Sequence, residues 1–287
     1  MSNIRAIKGR IQSVQNIGKI TQAMKVVASA RMKKAQERIM GARPYAYRLS
    51  DLIHDLSERV DRSTHPLFAK HPGGKKALLV VTADRGLCGS FNTNVLRKAQ
   101  AYLRENPDTT VLAVGRKARD YMKRRGYNLR NDWVGVFPAV TMDSVNAISK
   151  EIVTLFTQEN YESVEVIYNE FKNLVQQNLT LQPLLPLDPK NIPDDKSTPY
   201  GRGDYDYEPD VDQIIEVILP RYLAIEVRRI LLESFSSEMA ARRMAMEAAS
   251  KNAKEMIGRL TLEYNRARQA VITKEIAEIV GGAAALK

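Results

Sequence analysis

The chain has one cysteine, Cys88, in 287 residues. A single thiol leaves no intramolecular disulfide to form, and it fits a reducing compartment. Three scattered histidines, His54, His65 and His71, do not make a metal site with that one sulfur. Long apolar runs are missing too. None approaches the ~20 residues a membrane-crossing helix needs, and Met1 to Lys19 has no apolar block of the secretory-leader kind. Aromatic residues are absent from residues 1–44, which removes the stacking platforms that single-stranded nucleic acid uses. Acid is almost absent from the same region: residues 1–48 hold eleven Lys/Arg and one acid, Glu37. Proline is absent after Pro220.

That last absence leaves room for a very long helix. From Arg221 to Leu286, Met246, Ala249, Ala253, Met256, Leu260, Tyr264, Ala267 and Val271 recur by threes and fours, which puts them on one stripe. About 65 residues rising 1.5 Å each span roughly 100 Å, more than one compact domain needs. Such a helix requires a long partner.

A second long helix is predicted from Asn3 to about Val60, with Ser2 or Asn3 as N-cap. Its stripe starts at Ile4, Ile7, Ile11 and Val14, shifts to Ile17, Ile20, Met24 and Val27, then to Ala28, Met32, Ala35 and Ile39. Such shifts suggest a helix winding round a partner without a strict heptad. Pro44 is expected to bend or interrupt it, and Pro220 to kink the C-terminal helix.

Residues 75–187 have a different rhythm. Ala77 to Thr82 and Thr109 to Gly115 read as buried strands, Ser163 to Asn169 as a third and Leu174 to Leu187 as a fourth. Helices are predicted at Phe91 to Glu105, Arg116 to Arg125 and Met142 to Asn160. Strands alternating with helices give the fold class α/β: a long antiparallel coiled coil of N- and C-terminal helices with an inserted small parallel-sheet α/β domain. The expected divisions are 1–60, 75–187, an acidic connecting loop at 188–210 and 211–287. Residues 188–212 hold eight acids and three bases, opposite in sign to the basic N-terminus. Such a basic segment calls for an acidic partner: nucleic acid, anionic lipid or an acidic protein surface.

Several motifs carry less than they suggest. Gly86-Leu87-Cys88-Gly89 lies where a phosphate loop would, but matches neither GxGxxG nor a P-loop; a tight turn with a small buried thiol is the plainer reading. Cys88 has no histidine near it in sequence to act as a base. Arg202-Gly203-Asp204 in an acidic loop is a chance tripeptide.

Two runs discriminate further. One is Ile11-Gln12-Ser13-Val14-Gln15-Asn16 with Lys19-Ile20-Thr21-Gln22-Ala23-Met24-Lys25-Val26-Val27-Ala28; the other runs from Tyr264 to Glu275 and on through Glu278-Ile279-Val280-Gly281-Gly282-Ala283-Ala284-Ala285. Both closely resemble the gamma-subunit family of bacterial F-type ATP synthases, and the likeness covers the whole chain. Ile17 departs from it, since Thr is usual there. The resemblance implies a non-catalytic rotor shaft with no catalytic, metal or cofactor residues. It couples proton flow through the membrane ring to ATP synthesis or hydrolysis in the head. The implied partners are the alpha/beta hexamer, the epsilon subunit and the membrane c-ring, with one copy per hetero-oligomeric complex, no nucleic acid, and a peripheral place on the cytoplasmic face of the cell membrane. Met24, Lys25, Arg242, Gln269, Thr273 and Glu275 match positions that meet beta subunits or the head. Tyr205, Tyr207 and Glu208 match the region facing the rotor ring and epsilon. Arg31, Lys33 and Lys34 are implied electrostatic partners of acidic beta or epsilon surfaces. The alternative is a basic coiled-coil α/β protein that binds nucleic acid or an acidic protein scaffold.

Overall fold

A computed structural model describes residues 4–59, 65–69, 71–159, 161–188 and 211–285. Two long helices, α1 (Ile4–Arg59) and α5 (Val211–Ala285), enclose in sequence β1 (Lys76–Val81), α2 (Phe91–Glu105), β2 (Thr110–Val114), α3 (Arg116–Arg124), β3 (Leu129–Trp133), α4 (Met142–Gln158), β4 (Ser163–Phe171) and β5 (Gln177–Leu185). The chain forms two compact units, one of residues 1–28 and 243–287, the other of residues 29–242. The expected N-caps, Ser2 and Asn3, and most of the acidic loop lie outside the described residues.

In the larger unit the sheet has the order β3-β2-β1-β4-β5. The first four strands are parallel, but β5 runs antiparallel to β4. The parallel-sheet domain expected from the sequence is present with one antiparallel edge: the link from Phe171 to Gln177 is too short for a crossover, so the chain can only turn back. The sequence reading has four strands where the structure has five. β3 escapes it because Leu-Arg-Asn-Asp-Trp carries no apolar run, and as an edge strand it buries little.

The sheet is covered on both faces, and strand alternation decides which residue goes where. Leu78, Val80, Val111 and Ala113 pack with Val95, Ala99 and Leu103 of α2 and with Ala118 and Met122 of α3. Leu79, Val81, Leu112 and Val114 face the other way, onto α4, onto Leu49, Ile53 and Leu56 of α1, and onto α5 from Ile215 to Leu232. Gly115 closes β2 at φ +91, where an added Cβ would run into the carbonyl of Thr82.

Both prolines lie inside continuous helices, so of the two outcomes expected at Pro44, a bend or an interruption, α1 is not interrupted. Pro44 removes the donor to the carbonyl of Met40, and both residues are exposed, so water can take that carbonyl. Among the described residues no helix is long and apolar enough to cross a membrane, and no cluster of ligands could hold a metal.

Candidate functional site

The smaller unit contains the first half of α1 and the last part of α5. Thr21 Oγ1 lies 2.7 Å from Ser250 Oγ, and Lys25 Nζ lies 2.9 Å from Glu247 Oε1. A Cβ added at Gly18 would sit 3.6 Å from that of Ala253. As the α1 number rises, the α5 number falls, so the helices are antiparallel here. Thr21 also donates to the Gly18 carbonyl, which leaves its oxygen free to accept from Ser250.

Burial along α1 follows a strict seven-residue repeat: Ile4, Ile7, Ile11, Val14, Gly18, Thr21, Lys25 and Ala28 are buried or half-buried. The shifting stripe of the sequence reading is therefore corrected. Ile17, Ile20 and Val27 are 52%, 58% and 49% exposed, and small or polar residues occupy the seam in their place. Size explains this, since a heptad keeps one face inward and a glycine opposite an alanine lets two backbones come close. On α5, likewise, Ile257 is half-buried and Met256 is exposed.

Met24 and Lys25 both sit half-buried at this seam. The Lys25 ammonium is engaged by Glu247, and their hydrogen bond holds that carboxyl below the usual carboxylate range. Gln269, Thr273 and Glu275 lie elsewhere on α5. Counting from the pairing at Ser250 and Ala253, Ile4, the first described residue of α1, falls opposite Ala267. Every residue from Arg268 to Gly281 is exposed, including Val271, Ile272, Ile276, Ile279 and Val280. Five large apolar residues on a helix end with no partner among the described residues form a surface that something else must cover.

Arg242 belongs to the larger unit. Its guanidinium pairs with Glu238, and it also donates to the Gly86 carbonyl at 3.1 Å. The side chains of Arg242 and Glu238 are only 11% and 6% exposed. Burial pushes the Glu238 carboxyl up, Arg242 and Arg31 draw it back down, and Asp84 adds to the upward push. Arg31, Lys33 and Lys34 are exposed on α1, with Lys33 4.0 Å from Glu37. Tyr205, Tyr207 and Glu208 lie outside the described residues.

The Arg242 contact reveals what sequence reasoning passed over: Asp84 to Gly89 is a braced loop. Asp84 accepts from the backbone N–H of Arg116 and of Gly135. A carboxylate thus occupies the start of α3, where a bound phosphate would need those donors. Cys88 is buried and accepts from Asn92. Burial pushes its thiol up, so it is a packed sulfur and not a poised nucleophile. Leu87, in contrast, is 65% exposed at φ +62, an apolar side chain displayed on a strained turn. The only signal in the sequence was the pair of glycines around it.

A family model described as ATP synthase matches residues 3–286. The ATP synthase gamma chain of Geotalea daltonii is 40% identical over 291 residues, covering 100% of both chains. That of Salinibacter ruber is 40% identical, covering 100% of this chain and 99% of its own. Among solved structures, a chain of the central stalk and c-ring of the Tetrahymena thermophila mitochondrial ATP synthase is 28% identical at a TM-score of 0.62, covering 80% of this chain and 99% of that one. A chain from the Euglena gracilis mitochondrial ATP synthase in rotational state 3 superposes at 0.69 with 22% identity, covering 99% and 94%, and supports the fold. The nucleic-acid alternative finds no support in these likenesses. With a family match over almost every residue and full-length relatives at this identity, the chain belongs to the family of ATP synthase gamma chains.

Proposed function

We propose that this chain works as a turning stalk whose bare helix end and small-residue seam press in turn on the subunits of an alpha/beta head. A gamma chain is a non-catalytic stalk subunit, and catalysis sits in the beta subunits. The carrying observation is the exposed stretch of α5 from Arg268 to Gly281, a rod end with an apolar surface that no other described residue buries. A rotor end must be held on all sides without a fixed register. Branched apolar side chains spread along one helix give broad, shallow contact, whereas a deep pocket would lock one angle. Turning can drive chemistry only if each orientation stabilises the surrounding sites differently, by several kcal/mol for a full shift of populations.

The residue roles extend the family resemblance, and their positions support them as follows. Gln269, Thr273 and Glu275 supply polar contacts on the bare end. Met24 flanks the seam beside Ile20 and Val27, which are themselves exposed and available to a beta subunit. Lys25 holds the register through Glu247 and offers its positive field beside that contact. Arg242 acts by bracing the Asp84 to Gly89 loop, which displays Leu87. Arg31, Lys33 and Lys34 attract acidic beta or epsilon surfaces. Tyr205, Tyr207 and Glu208 are assigned to the rotor-ring and epsilon end by family resemblance alone, and the peripheral place at the cytoplasmic face of the cell membrane rests on the same ground.

Met24→Lys tests the reading. It sets a second cation beside Lys25 and against the beta contact. In reconstituted vesicles, ATP-driven proton pumping is expected to fall about tenfold, the size of ~1.4 kcal/mol, while ATP hydrolysis and the melting temperature of the complex are kept. An unchanged ratio of pumping to hydrolysis removes Met24 from the contact.

A further inference from the structure

On the outer face of the larger unit, two arginines from different helices converge on one uncharged atom. With the Gln100 amide oriented to satisfy its neighbours, its oxygen accepts from Arg104 Nη2 at 3.1 Å and from Arg125 Nη1 at 3.0 Å. Its nitrogen donates to the Tyr121 hydroxyl at 2.8 Å. The Arg125 guanidinium also lies over the Tyr121 ring, 4.8 Å from its centre. Arg104 and Arg125 are exposed, and neither is in an ion pair among the described residues, not even with the adjacent Glu105. The other nearby acid, Asp120, is held by Arg119 at 2.8 Å.

Helix ends explain part of this. Each arginine sits at the C-terminal end of its own helix, where the dipole favours a cation. That accounts for the presence of each charge but not for their convergence. Two guanidinium groups reaching one oxygen repel each other, and a neutral amide oxygen offsets little of that repulsion. An anionic oxygen in its place would turn the repulsion into two charge-assisted hydrogen bonds. The surrounding field points the same way, because residues 91–125 hold nine Lys/Arg and three acids.

We propose that Arg104 and Arg125, with Gln100 as a displaceable plug and Tyr121 as a wall, form a site for a phosphate group. A carboxylate is satisfied by a single guanidinium fork. Two forks from separate helices suit an anion with three or more oxygens. Gln100 is a half-buried surface side chain and can swing aside. The site is independent of the stalk reading and touches none of the residues assigned there.

The test uses the full chain labelled at arginine, titrated with inorganic phosphate against chloride at constant ionic strength. The side-chain N–H resonances of Arg104 and Arg125 are expected to shift saturably. Arg104→Gln and Arg125→Gln should each weaken the apparent affinity about tenfold, the usual size of one lost charge-assisted bond. Arg116→Gln makes the same charge change at the other end of α3 and should leave the affinity within about twofold. Equal weakening in all three variants, or no saturable shift, overturns the site in favour of diffuse screening. Flotation with vesicles of phosphatidic acid in phosphatidylcholine separates the sources. Capture lost in R104Q and R125Q assigns a lipid headgroup, whereas a phosphate shift without capture assigns a soluble phosphate. Capture unaltered in those variants, with no phosphate shift, also overturns the site.

Discussion

From Tyr222 to Ala240, in the larger unit, every residue of α5 is buried or half-buried, packed along its first turns against sheet, α4 and α1; from Ser250 to Ala267, in the smaller unit, it buries one stripe, and from Arg268 to Gly281 every residue is exposed. Both regions belong to one helix. The difference shows that the helix is not held equally along its length. The larger unit behaves as a fixed core, where every side chain has a shape to fit. The smaller unit is a two-helix rod joined through one seam of small and polar residues. Substitutions in the two regions should therefore differ in size and in sign.

The largest effect is expected at Gly115. Its φ of +91 and its approach to Thr82 leave no space for a methyl group. Gly115→Ala must either strain the backbone or push β1 and β2 apart, at a cost of about 3 kcal/mol or more. Urea unfolding should show a large drop in midpoint or an insoluble chain; a midpoint within ~0.5 kcal/mol of the parent would mean that the strand ends yield easily.

The core also shows what the sequence could reveal. The buried strands and both layers of helices were legible because alternation and helical spacing are set by burial, and Phe91–Glu105 matches the expected helix to the residue. The rod was legible as a pair of helices but not in its facing. Isoleucine is the natural seam residue, yet Ile17 and Ile20 point outward while Gly18 and Thr21 point inward, because the backbone spacing was chosen by the partner helix. Arg242 could be named from the resemblance, but its partner Glu238 could not. An i,i+4 acid on a long charged helix looks like ordinary surface until burial is known. The phosphate site between α2 and α3 needed the packing of two helices that no spacing in the sequence relates.

Arg242→Ala is expected to be next in size. It leaves the buried Glu238 carboxylate without its cation and releases the Gly86 carbonyl, so a loss of about 3 kcal/mol is expected at neutral pH. Arg242→Lys keeps a charge but not the two-sided reach, and should recover only part. Equal stability of R242A and the parent would show that water reaches Glu238 and that the loop is not braced from below.

Glu233 gives an effect of opposite sign in the same unit. One of its oxygens pairs with Arg229 at 2.7 Å, and the other is buried without a partner. Burial pushes its carboxyl up; Arg229 opposes this, while Glu170 and Glu226 add to it. A carboxyl raised in the folded state binds its proton more tightly there than in the unfolded chain. Its contribution is therefore fully present below the ordinary glutamate value and is lost as pH rises through the raised one. Glu233→Gln removes the charge whose burial raises the carboxyl, and should stabilise the chain by about 1 kcal/mol at pH 7, the order of one desolvated charge relieved, and flatten that fall. Glu247, exposed, and Asp120, half-buried, are both held below the usual range, give the opposite slope at lower pH and are untouched. Parallel pH profiles for parent and variant would show that Glu233 is fully solvated.

The smallest effect is the sharpest test of the rod. Gly18 lies inside α1 and a Cβ there would meet Ala253 at 3.6 Å, ordinary van der Waals contact. Gly18→Ala therefore adds no clash and removes the helix penalty of a mid-helix glycine, so it should stabilise the smaller unit by about 0.5–1 kcal/mol. The same substitution that is disastrous at Gly115 should be beneficial here. The gain should appear as slower amide hydrogen exchange from Gln15 to Ala28, with the sheet of the larger unit unchanged. It should also stiffen the seam, so the assembled complex offers a second readout. If the small residues at Gly18, Thr21 and Ala253 are there only to let the helices close, turnover is untouched. If the seam must yield during rotation, turnover falls although stability rises. A loss of stability in G18A would mean that the two backbones lie closer than the seam geometry states, and would overturn the reading that a methyl group fits there without a clash.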